Sequence, residues 1–107
     1  MTTFNDRERG EESKYAFDEE NAFKIAARRN RLLGKWAAEK MHLTPEESEA
    51  YQKAVVQADF EESGDEDVIR KVLGDLTQAG CEVDEFAVRL ALEEKHVEAR
   101  RQLMAES

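Results

Sequence analysis

The 107-residue chain predicts an all-α fold, a small four-helix bundle preceded by a mobile N-terminal arm. Composition comes first: fourteen alanines, 7% aromatic and 38% charged residues favour helices over sheets. Apolar residues then recur at three- and four-residue steps from about residue 18 onward, in runs separated by cap and turn residues. By contrast, residues 1 to 20 carry seven acidic and three basic side chains around only Met1, Phe4, Tyr15, Ala16 and Phe17. A segment that buries so little cannot offset the cost of ordering its backbone, about 1–2 kcal/mol per residue, and is expected to stay mobile until a partner orders it.

The boundaries follow in order, with residues 1–17 as the arm and 18–107 as the bundle. The first helix is expected over about 18–42, because Ala22, Phe23, Ala26, Asn30, Leu33, Ala37 and Met41 share one face, with Ile25, Leu32 and Trp36 beside them. Thr44-Pro45-Glu46-Glu47 then reads as an N-cap threonine, a proline at the first helical position and a capping-box glutamate. This opens a second helix over about 45–62, with Tyr51, Ala54, Val55 and Ala58 on one face and Gly64 placed to end it. Asp65 is expected to cap a third helix over 66–79, whose Val68, Ile69, Val72, Leu73 and Leu76 give the clearest apolar face, with Gly80 as its stop. Asp84 caps a fourth over about 85–105, and Val83 and Val88 stand at the positions of a hydrophobic staple. Such short connections favour antiparallel neighbours and an up-and-down bundle.

Charge and motif chemistry narrow the function. A net charge of −9 and the absence of any long apolar run argue against nucleic-acid binding and against direct membrane insertion. With no signal-peptide core and Cys81 as the only cysteine, the chain reads as cytoplasmic. Glu39-x-x-His42 and Glu93-x-x-His96 imitate the ligand pattern of di-iron bundles. In an up-and-down bundle, however, the end of the first helix is level with the start of the fourth, and His96 lies roughly 16 Å beyond that start, so no shared metal site is expected. Cys81 has acidic neighbours and no histidine near it, and neither the serines nor the glycines form a nucleophile elbow or a phosphate-cradling loop, so no catalytic residue and no cofactor are expected. The acidic stretch from Asp59 to Asp67 lacks the spacing of a calcium loop.

Basic charge concentrates in the first helix, where residues 24 to 40 sum to +5, against −8 for residues 44 to 67. Lys24, Arg28, Arg31 and Lys35 share one face, with Arg29 close by. Two readings stand side by side: a surface for a nucleotide phosphate or an acidic partner, and internal pairing with the acidic segment.

Four stretches, TFNDRERG at Thr3 to Gly10, KYAFDEENAFK at Lys14 to Lys24, ARRNRLLGKWAAEK at Ala27 to Lys40 and ADFEESGDEDVIRKV at Ala58 to Val72, agree in order and spacing with one family. On these stretches the chain resembles the zeta subunits of alphaproteobacterial F-type ATP synthases, small helical inhibitors of ATP hydrolysis. The resemblance covers the chain up to about Leu92. It implies an N-terminal segment that enters a catalytic α/β interface of the synthase head, becomes helical there and blocks hydrolytic rotation of the γ rotor. Carried over by position, that segment is Thr2 to Tyr15, with Phe4 as apolar anchor, Asp6, Arg7, Glu8 and Arg9 as polar contacts, and Thr2, Thr3, Lys14 and Tyr15 completing it. The expected partners are therefore the α and β subunits and the γ rotor, with the chain peripherally attached to the membrane-bound synthase. Gly10-Glu11-Glu12-Ser13 departs from the pattern, since Gly10 costs a helix about 1 kcal/mol relative to alanine and Glu11 adds charge where an apolar residue is expected. The alternative is accordingly a nucleotide-sensing or protein-interaction bundle that has lost strong inhibition.

Overall fold

The computed structural model describes residues 19–59 and 65–106, and these form four helices: α1 (Glu19–Lys40), α2 (Pro45–Ala58), α3 (Glu66–Gln78) and α4 (Glu85–Glu106). Contacts between the helices fit antiparallel neighbours. Arg28 near the start of α1 meets Glu106 at the end of α4, Gly34 of α1 faces Gln52 of α2, and Tyr51 of α2 reaches Asp75 late in α3. The expected all-α bundle is thus what the described residues build, with α1 packed against the other three helices.

Its core is apolar and closed. Leu33, Ala37, Val55, Val68, Val72, Leu76 and Val88 are fully buried, with Ile69, Ala91 and Leu92 nearly so, and the half-buried Trp36, Tyr51 and Leu73 pack around them. Each large aliphatic side chain buried in this way contributes about 1.5–3 kcal/mol. Val83 and Val88, the expected staple residues, belong to the same cluster. Polar clasps tie the rim: the Tyr51 hydroxyl donates to Asp75 at 2.8 Å, Lys71 reaches the same carboxylate at 3.1 Å, and Arg89 bridges Glu66 and Glu85, both at 2.7 Å. Burial, and then the bond to Asp75, pushes the Tyr51 phenol well above its ordinary value.

The capping chemistry explains the boundaries, moves two of them and reassigns one cap. Thr44 closes a complete capping box, its hydroxyl accepting from the Glu47 N–H at 3.1 Å while Glu47 accepts from the Thr44 N–H at 2.9 Å. Asp84 accepts from the Ala87 N–H at 2.9 Å, as a cap for α4 requires. α1 stops at Lys40, two residues before the expected end, because His42 takes a left-handed φ of 58°. The Leu43 N–H then bonds the Ala38 carbonyl and the His42 N–H that of Glu39, a Schellman closure. α2 ends at Ala58 rather than Glu62: the Asp59 N–H bonds back to the Val56 carbonyl in a tightened last turn. The stop expected at Gly64 lies outside the described residues. Asp65 precedes α3 without capping it by its side chain, its carboxylate lying instead 3.1 Å from the Arg29 guanidinium.

Candidate functional site: the basic face of α1

Lys24, Arg28, Arg31 and Lys35 come together along one open groove, whose far wall is Gln52 of α2 and Gln102 and Glu106 of α4. Spacing accounts for this, since steps of four, three and four residues keep side chains on one helical face. Arg28 and Arg31 hold internal partners. Arg28 forks onto both Glu106 oxygens, the longer contact 3.1 Å, and its Nη1 lies 3.5 Å from the Gln102 oxygen. That bond holds the Glu106 carboxyl below and the Arg28 guanidinium above their ordinary ranges. Arg31 donates to Glu49 of the acidic segment at 3.0 Å, with both side chains about half exposed, while Lys35 lies open at the groove edge. Screened contacts of this kind contribute little to stability.

Arg29 does not belong to this groove. It is 6% exposed, its Nε donates to Asn30 at 3.0 Å, and its Nη2 approaches Asp65 and Asp59 at 3.1 and 3.7 Å, tying α1 to the residues on both sides of the α2–α3 connection. The sequence grouped it with its basic neighbours. Only its step of about 100° from Arg28 hinted at another direction. His96 lies on the same side of the bundle. Partial desolvation, then the Arg29 and Arg100 cations, hold its imidazole below the ordinary value against an opposing pull from Asp65.

The expected inhibitory residues Thr2, Thr3, Phe4, Asp6, Arg7, Glu8, Arg9, Lys14 and Tyr15 lie outside the described residues. Among the described ones, no three His, Cys, Asp or Glu side chains gather as a metal-binding group, and no helix is long and apolar enough to cross a membrane. The Cys81 thiol is half-buried and donates to the Lys40 carbonyl at 3.4 Å.

Fold and surface together define a small all-helical bundle with paired charges along its long first helix. Comparison with known families is specific: the model of ATPase inhibitor subunit zeta matches residues 1–102, and the chain belongs to that family. Membership makes it a regulatory subunit that inhibits the ATP synthase complex. A similar solved structure, determined by solution NMR, is 48% identical, covers 79% of this chain and 96% of its own, and superposes with a TM-score of 0.70. No curated protein matches.

Proposed function

We propose that the chain inhibits ATP hydrolysis by wedging its N-terminal segment, Thr2 to Tyr15, into a catalytic α/β interface of the synthase head, with γ rotation blocked as a result. The observation that carries this reading is the extent of the family match, which begins at residue 1 and so takes in the charged segment as well as the bundle. Its composition supports the same conclusion: a polar segment with Phe4 as its early apolar anchor suits folding coupled to binding, in which few contacts hold most of the affinity. The segment 1–17 then acts, the bundle 18–107 carries it, and the chain sits at the membrane only through the synthase.

Titration of the purified synthase in an ATP-hydrolysis assay tests this. Removal of residues 1–17 should abolish inhibition, and Phe4→Ala should raise the half-inhibitory concentration at least tenfold, the loss of roughly 1.4 kcal/mol or more at an anchor position. Unchanged inhibition by either variant rejects the mechanism.

A second reading rests on the groove, where Lys24, Arg28, Arg31 and Lys35 face one opening beside Gln52 and Gln102. A nucleotide polyphosphate would displace Glu106 and Glu49 from the two arginines and take up Lys35. Amide shifts along α1 on adding nucleotide, absent in Arg28→Ala, support weak nucleotide sensing, and their absence in the unmodified chain removes it.

A further inference from the structure

α4 buries Val88, Ala91, Leu92 and Ala99, yet leaves Phe86, Leu90, Val97 and Met104 exposed by 72, 45, 64 and 47%. At about 100° per residue these four fall within about 40° of one another, a straight apolar stripe along the outer face, with Leu90, Val97 and Met104 at heptad spacing. The charges of α4 divide in a telling way. Arg89 is held by Glu66 and Glu85, Lys95 by Glu98, and Glu106 by Arg28. Glu93, Glu94, Arg100 and Arg101 are exposed and form no ion pair among the described residues. They are the charges that flank the stripe, Glu93 and Arg100 on one side, Glu94 and Arg101 on the other, with both acids before Val97 and both bases after it.

We propose that a second copy of this chain covers this face, its α4 running antiparallel to the first about a twofold axis at Val97. In that register Val97 meets Val97 of the second copy, Leu90 meets Met104, Glu93 meets Arg100 and Glu94 meets Arg101. Twofold symmetry repeats each contact, so the stretch from Leu90 to Met104 is complementary to itself. A parallel pairing in register sets Glu93 against Glu94 of the second copy and Arg100 against Arg101, and is rejected by like charge. Antiparallel order is therefore specified by the sequence of the helix, and the charges flank the apolar seam as they do in coiled coils. A contact along one helix, with both copies carrying −9, covers less than the roughly 800 Å² per partner of a standard interface, which makes this a weak dimer forming at roughly 10–100 μM.

Sedimentation equilibrium of the full chain, from about 5 μM to about 1 mM, reads the proposal directly. The mean mass should rise from 12.3 kDa toward twice that value. Val97→Glu, at a position 64% exposed and harmless to the bundle, should weaken association at least tenfold with the circular dichroism spectrum unchanged. The double variants Glu93→Arg/Glu94→Arg and Arg100→Glu/Arg101→Glu should each be monomeric alone and dimerise when mixed. A chain that stays monomeric to the highest concentration, a dimer indifferent to Val97→Glu, or a mixture that fails to associate overturns it. A monomeric chain whose inhibition is lost in Val97→Glu assigns the face to the synthase and overturns it equally. Mass, not ATPase activity, is the readout, so this result is independent of the inhibitory mechanism.

Discussion

Gly34 marks the closest approach of α1 to α2: a Cβ there would lie 2.9 Å from the Gln52 Cα and 3.3 Å from Val55 Cγ2. Alanine gains about 1 kcal/mol of helix propensity over glycine, but the nearer obstacle is backbone, so the two helices must part and loosen the buried Val55. Gly34→Ala should therefore destabilise by about 1–3 kcal/mol. Gly74, inside α3 with nothing within 4 Å of its Cβ position, should respond in the opposite sense, gaining roughly 0.5–1 kcal/mol as alanine. Urea midpoints at constant m-value separate the two. His96 makes a second residue-scale case. Arg29 of α1 and Arg100 of its own helix oppose its protonation, Asp65 ahead of α3 favours it, and Glu93 lines the same hollow. Its folded value is depressed, so the unfolded chain takes up the proton more readily, and stability falls as pH drops below the ordinary value of about 6.5. His96→Gln should lose this acid-side decline, becoming more stable relative to the unmodified chain at about pH 5 than at about pH 7.5. Parallel pH dependences in the two proteins would contradict this.

α1 and α3 end in the same way, which gives a controlled comparison at the level of the element. In each a left-handed residue lets the next N–H reach back to a carbonyl five residues earlier: His42 in α1, with Leu43 to Ala38, and Gly80 in α3, with φ 84° and Cys81 to Leu76. Glycine adopts that conformation freely, whereas a side chain there costs about 1 kcal/mol. His42→Gly should thus raise stability by roughly 0.5–1 kcal/mol and shift the thermal midpoint up by about 2–6 °C, and a fall would show that the His42 side chain earns its place through contacts. The pair also shows what was legible in the sequence. Gly80 and the Thr44-Pro45-x-Glu47 box announce themselves because their chemistry is complete within a few residues. His42 is invisible as a stop because its conformation is imposed by the chain turning into α2. Asp65 is ambiguous in the sequence for a related reason: its carboxylate suits an N-cap and an ion pair equally, and the Arg29 that claims it is remote in sequence.

For the whole molecule, the alternation of basic and acidic segments foresaw that α1 would lie among acidic neighbours, and Arg31–Glu49 and Arg29–Asp65 realise it. The basic groove was legible as a face of four residues. Its far wall of Gln52, Gln102 and Glu106 was not, since helical spacing says nothing about which helix packs opposite. The proposed division of labour between segment and bundle leads to a further measurable outcome. The closed core draws on α1, α2, α3 and α4 for its buried aliphatics, and residues 1–17 sum to a charge of only −1, so long-range electrostatics gives them little hold on the bundle. A chain of residues 18–107 should unfold in a single cooperative transition, with a midpoint within about 4 °C of the full chain, a change of at most about 1 kcal/mol. If inhibition disappears in this same preparation, the loss belongs to the missing segment and not to a damaged carrier. A truncated bundle that melts broadly or much earlier would show that the N-terminal segment is part of the fold, and the wedge would then have to be sought on the helices themselves.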